Sequence, residues 1–263
     1  MHEFTNLQWP ETPFGAEQRP FGQHADTLTA CVTEWTGEPD AGPLPIAAAM
    51  VYLRVRRHGS ARLVGDDTLS IGFRAAVIED TAEIPALFAL TDRALTRARR
   101  HAVILAGYRL DADLLRMSAL SAVPLRGAAG VLSAWANRAT KQRRVALMVD
   151  TGSEASATGA ELDMPLDPVP VSMPDCPACA ARLARRALGR CLAVGLTAAV
   201  YTGRCRWEGT FRVAETIERE GWDVLSGHPD ASGHPDTSTG HADAHAGGRV
   251  SDTAGRLVAR AGT

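Results

Sequence analysis

Aromatic residues are scarce. They make up only 5% of the 263 residues, and much of the 45% apolar total is alanine, so a core of helices and small side chains is expected. Lysine is scarce too: arginine carries most of the 28 basic charges, and 30 acidic residues bring the formal net charge to −2, which argues against a strongly basic nucleic-acid coat. No apolar run approaches a bilayer span; the longest, "PLPIAAAMVYL", is short and interrupted. No basic segment followed by an apolar stretch opens the chain, so no secretory signal is read and a cytoplasmic setting without membrane contact is expected. Five cysteines form no disulfide framework and fit a reducing compartment. A Gly-rich phosphate loop, a Gly-x-Ser-x-Gly elbow and an HExxH helix are all absent, which removes the nucleotide hydrolysis, acyl transfer and zinc chemistry they serve.

What is present reads as an α/β chain in three parts. Residues 1–45 are rich in Pro, Gly, Thr and Glu with scattered aromatics, an irregular arm with one short ordered piece near 26–36. Residues 46–225 hold the structured domain. Strand 50–56 alternates apolar and polar residues, and "TLSIGFRAAVI" is a second strand with period two. Asp80 and Glu83 have capping-box spacing at the head of a helix with Ile84, Leu87, Phe88, Thr91 and Leu95 inward. "AVILAG" is a buried strand, "DADLLRMSAL" and "GVLSAWANRATKQRR" are helices, and "VALMVDTG" is a further buried strand. A loop at 151–170 leads to a long helix from Cys176 to Tyr201 with Asp175 as N-cap. The final helix turns Phe211, Ala214, Ile217 and Trp222 inward. Hairpin strands followed by helix-linked strands give a mixed sheet flanked by helices. Residues 226–263, with the repeat "SGHPDASGHPD", have little to bury and read as a disordered His/Gly/Asp-rich tail.

The strand "MVYLRVRRHG" places Arg54 and Arg56 on one face, either a solvated face or a place for an anion. Arg182, Arg186 and Arg190 share one helical face, with the same alternatives. "CPAC", Cys176 and Cys179, is either half a zinc site, a redox pair or ordinary packing at a helix start. Asp111, Asp113, Asp150 and Asp175 are the acids placed for metal ligation; Asp111 and Asp113 equally suit a helix start.

With these residues in order, the stretch 48–205 resembles the DEDD-type 3′–5′ exonucleases of the ribonuclease H-like superfamily. That family's first strand carries an Asp-x-Glu box closed by a Thr-Thr-Gly-like turn; in "LRVRRHG" Arg54 falls at the Asp and Arg56 at the Glu. "LSIGFRAAV" supplies the second strand's Ile-Gly step. "LAGYRLDADLLRM" places Tyr108 and Arg109 at the family's His-Asn pair and Asp113 at its acid. "VALMVDTG" supplies Asp150-Thr151 for a later Asp-Thr step. "RRALGRC" places Arg185 at the His and Arg190 at the last acid.

The resemblance implies a ribonuclease H-like mixed sheet and a degenerate site. The family's carboxylates hold two divalent metals that generate the nucleophile and stabilise the leaving oxygen. Guanidinium has no lone pair for Mg²⁺ or Mn²⁺. The chain is therefore expected to need no cofactor and to bind nucleic acid or nucleotide phosphate through Arg54, Arg56, Tyr108, Arg109, Arg185 and Arg190. Two alternatives stay open. One is an active exonuclease using Mg²⁺ or Mn²⁺ on relocated carboxylates such as Asp113 and Asp150. The other is a scaffold that engages a protein partner through its N-terminal arm.

Overall fold

A strand covered on both faces has no reason to alternate apolar with polar residues. The computed structural model describes residues 1–7, 27–37, 42–55, 60–140, 145–153 and 161–226, and its central strand is of this kind. The elements run β1 (His2–Thr5), β2 (Thr27–Trp35), β3 (Pro45–Arg54), β4 (Arg62–Leu63), β5 (Gly72–Val77), α1 (Ile84–His101), β6 (Ile104–Gly107), α2 (Leu110–Leu120), α3 (Arg126–Ala136), β7 (Leu147–Asp150), α4 (Pro177–Tyr201), β8 (Cys205–Arg206) and α5 (Val213–Leu225). Six strands form one mixed sheet in the order β1-β5-β3-β2-β6-β7. The pairs β1/β5, β5/β3 and β3/β2 are antiparallel, whereas β6 runs parallel to β2 and β7 parallel to β6. The short strands β4 and β8 pair in parallel apart from this sheet. Among the described residues no helix is long and apolar enough to cross a membrane.

The two faces of β2 belong to different layers. Leu28, Ala30 and Val32 pack with α4, while Cys31 and Trp35 pack with α1, α2 and α3. Helix α4 lies close on the sheet because its inner face is small: a Cβ on Gly195 would stand 3.3 Å from both Ala30 Cβ and Leu53 Cδ1. This is the use made of the abundant alanine. Leu87, Phe88, Thr91 and Leu95 of α1 are buried, as their spacing predicts.

Several expectations change. The arm over 1–45 contains an edge strand, β1, and the central strand, β2; all nine positions of β2 are buried, so its threonines and glutamate hide it from a period-two search. The strand expected at 50–56 spans 45–54 and is the second long strand of the sheet, not the first. Asp80 caps a short 3₁₀ turn before α1 by accepting from the Ala82 N–H at 2.8 Å. Cys176, not Asp175, is the N-cap of α4. Ala214 is exposed, as is Trp222 at 68%, while Phe211 and Ile217 face inward as expected. The tail beyond 226 lies outside the described residues.

Helix α3 is fixed against α1 through Asp92, whose Oδ1 accepts the Ala128 N–H at 2.9 Å. At this crossing a Cβ on Gly127 would lie 2.1 Å from the Asp92 carbonyl oxygen, whereas one on Gly130 would meet only the flexible end of Arg99. Gly127→Ala should therefore lower unfolding free energy by about 2 kcal/mol, and Gly130→Ala should leave it unchanged or raise it by up to about 1 kcal/mol. Urea denaturation of the two variants checks both signs.

Candidate functional site

Parallel strands that end together leave a crevice beyond their carboxyl ends, where connections to either side of the sheet part. Here β6 and β7 end side by side at Gly107 and Asp150, level with Cys31, and β2 runs on past them to Trp35. A cavity of about 420 Å³ opens at this place, with Thr33, Trp35, Tyr108, Arg109, Asp113, Arg116, Asp167 and Arg190 on its walls.

At the base of the cavity lies a buried ion pair. Arg190 projects from α4 and donates through Nε to Glu34 Oε1 at 2.7 Å and through Nη2 to the Thr33 carbonyl at 2.8 Å. Nη1 reaches the Leu166 carbonyl at 3.5 Å. Arg190 is 4% exposed and Glu34 not at all. The second carboxylate oxygen, Glu34 Oε2, has no hydrogen-bond partner among the described residues.

Asp113 reaches the same place from α2. Its Oδ1 accepts from Trp35 Nε1 at 2.9 Å. Burial pushes its carboxyl up to about 6, against relief from the Arg190 guanidinium, the Trp35 hydrogen bond and Arg116, with Glu34 adding to the rise. Three elements thus bring Glu34, Asp113 and Arg190 together.

The rim is cationic. Arg109 carries φ 50° and ψ 42° at the start of α2, the left-handed region, at a cost of roughly 1–2 kcal/mol for a residue with a Cβ. Its N–H donates to Asp150 Oδ1 at 3.1 Å, and its guanidinium lies 5.7 Å from the centre of the Tyr108 ring. Tyr108 in turn donates its hydroxyl to Asp167. Arg116 sits 5.7 Å over the Trp35 ring. Arg109 and Arg116 are exposed, and neither forms an ion pair among the described residues.

The expected site residues therefore divide. Tyr108, Arg109, Asp113 and Arg190 line one cavity. Arg54 does not join them. In the β2/β3 register Glu34 pairs with Ala47 and Arg54 with Thr27, which separates them by roughly 23 Å along the strand. Arg56 lies outside the described residues. Arg185 turns to the other side of α4 and donates to the Leu225 carbonyl at 2.7 Å, closing the end of α5. Asp150 is a turn residue: besides Arg109 it accepts from the Gly152 N–H at 3.0 Å and from Ser153 Oγ at 2.9 Å. Among the described residues Asp111, Asp113 and Asp150 belong to no group of three donors that could hold a metal; Asp175 does, together with Cys176 and Cys179.

Sequence reasoning missed Glu34, Trp35 and Arg116. Glu34 and Trp35 lie inside the stretch read as an irregular arm. Comparison with known families, curated proteins and solved structures finds no match to this chain.

The Asp113 carboxyl is raised in the folded chain, so ionising it opposes folding. Both states are protonated below about pH 4 and carry no penalty; between about pH 4 and 6 the unfolded chain ionises first and stability falls; above about pH 6 the loss levels off near 3 kcal/mol. Asp113→Asn keeps an acceptor for Trp35 and removes the charge. At pH 7.5 it should be more stable than the parent by about 1–3 kcal/mol, with the two converging near pH 4, as read by urea titration across that range.

Proposed function

We propose that the chain is a ribonuclease H-like domain that resembles the DEDD exonucleases, has lost their two-metal chemistry, and binds a phosphate-bearing ligand, a nucleotide or the 3′ end of a nucleic acid, in the cavity at the end of β2. The observation that carries this reading is Arg190. A guanidinium stands where the resemblance calls for the last metal-binding acid, and it is closed against Glu34 at 2.7 Å.

The sheet supports the same reading once the first box is moved. Strand β2 is flanked by the antiparallel β3 and β5 on one side and by the parallel β6 and β7 on the other, in keeping with a ribonuclease H-like order. The family's first strand then corresponds to β2, not to "MVYLRVRRHG". In "VTEWTG" Val32 falls at the Asp position, Glu34 at the Glu, and Thr36-Gly37 at the turn. Asp113 and Arg190 keep the positions first assigned to them. Of the four acids of the family two remain, Glu34 and Asp113, and the Arg190 guanidinium neutralises the first. Mg²⁺ prefers a cage of oxygens. A fixed cation within ~4 Å opposes a divalent ion by roughly 8 kcal/mol at an effective dielectric of about 20.

Ligand binding falls instead to the rim. Arg109 and Arg116 offer planar, multi-donor groups suited to phosphate oxygens. Trp35 and Tyr108 supply ring surfaces beside them. A cavity of about 420 Å³ suits one nucleotide unit.

Full-length protein should bind a 5′-labelled oligonucleotide or a nucleoside monophosphate in a salt-sensitive manner. Arg109→Ala with Arg116→Ala should weaken binding by about tenfold or more, and Asp113→Asn should tighten it at pH 7.5 by removing a negative charge. No nucleotide release is expected with Mg²⁺ or Mn²⁺. Metal-dependent release abolished by Asp113→Ala would overturn the reading in favour of an active exonuclease.

A further inference from the structure

A second cleft, of about 390 Å³, lies at the start of α4, with Cys179 on its wall. Cys176 is the N-cap, Pro177 opens the helix, and Cys179 follows within its first turn. Cys176 Sγ accepts the Cys179 N–H at 3.2 Å. The two sulfurs and the Asp175 carboxylate lie within 4.8 Å of one another. Arg182 Nη2 approaches Cys179 Sγ at 3.0 Å, and Arg186 also faces the cleft. Both sulfurs belong to half-buried residues and are reduced, whereas Cys31, Cys191 and Cys205 are buried.

We propose that Cys176 and Cys179 form a thiol–disulfide exchange centre whose oxidant is a small acidic disulfide, received in the cleft beside Arg182 and Arg186. This inference does not depend on the phosphate-binding reading. The helix N-terminus favours thiolate at Cys176, whose Sγ accepts the Cys179 N–H, and a Cys-x-x-Cys spacing allows the second sulfur to follow the first. Cys176 and Asp175 hold the Cys179 thiol above its ordinary range, so Cys179 keeps its proton and takes the resolving role. Cys176 is the attacking sulfur.

In the first step the Cys176 thiolate attacks one sulfur of the external disulfide. A mixed disulfide forms and one thiolate leaves. In the second step Cys179 gives up its proton and attacks Cys176 Sγ, releasing the second thiolate. Two protein thiols are oxidised to one disulfide, the external disulfide is reduced to two thiols, and the protons pass through solvent to the leaving sulfurs. Zinc is the competing occupant. It asks for four donors, whereas three converge here and a guanidinium stands against one of them.

The test equilibrates reduced full-length protein with glutathione disulfide, then denatures, alkylates and maps the peptides by mass. Cys176 and Cys179 should escape alkylation joined to each other, while Cys31, Cys191 and Cys205 are alkylated. Cys179→Ser should trap Cys176 as a mixed disulfide with glutathione, and Cys176→Ser should slow the reaction by about tenfold or more. Arg182→Ala should lower the rate with anionic glutathione disulfide relative to cationic cystamine by about threefold; an unchanged ratio removes the cleft's part in the proposal. Full alkylation of both cysteines after oxidation would overturn the exchange centre. So would stoichiometric zinc in the purified protein that is lost on Cys176→Ser.

Discussion

The contact on which the site depends is the buried pair between Arg190 and Glu34. Taking both charges out of water is expensive, and the attraction between them does little more than offset that loss. The pair is therefore not a large source of net stability. Its effect is on what can coexist with it. With either partner alone, an uncompensated charge would be left buried, at a cost of about 3–5 kcal/mol. Together they tie the end of β2 to the middle of α4, and through the Thr33 and Leu166 carbonyls they also hold the approach to the loop before α4. That loop walls the cavity at Asp167, Pro168, Val169 and Pro170 and the thiol cleft from Val171 to Asp175.

The same pair orders the electrostatics outward. Glu34 is spent on Arg190, so Asp113 faces a centre with little net charge and feels chiefly its own burial. Asp167 is engaged by the Tyr108 hydroxyl. The cations of the rim are the guanidinium groups of Arg109 and Arg116, each laid against an aromatic ring. Arginine on a ring keeps its fork of donors aimed outward with less rotamer freedom to lose on binding. The cavity thus holds the Glu34–Arg190 pair and the Asp113 carboxyl toward its base and two guanidinium groups at its rim.

Much of this was legible in the sequence, and most of the failures share one cause. Most strands and helices from 69 to 225 announce themselves through periodicity, and Asp113 and Arg190, each on a helix, were singled out by the family resemblance. Central strand β2 has no such periodicity. Its polar residues, Thr27, Thr29, Thr33 and Glu34, are all buried, and burial on both faces removes the alternation by which half-exposed strands are recognised. The neighbouring β3 does alternate at its end, and on the proposed reading its Arg54 drew the family's first box one strand away from β2. In the register Arg54 pairs with Thr27, at the opposite end of β2 from Glu34. Trp222 failed for the opposite reason. A large apolar residue on an amphipathic helix was assigned inward, yet it is 68% exposed on α5, and nothing in the described residues explains its exposure.

On the proposed reading, the substitutions around the site are consistent as a set and not merely individually unfavourable to metal. Replacing the last acid by arginine alone would have buried a cation beside two or three carboxylates, a net negative centre that still attracts a divalent ion. With Val32 in place of the first acid as well, Glu34 and Asp113 remain, and the Arg190 guanidinium closes on Glu34. Glu34 Oε2, without a partner among the described residues, is the remnant of this exchange: a carboxylate has two acceptor edges, and one arginine approaching through Nε, with Nη2 committed to Thr33, satisfies only one of them. The unfilled edge is tolerated because Arg190 neutralises the charge that makes such an edge costly.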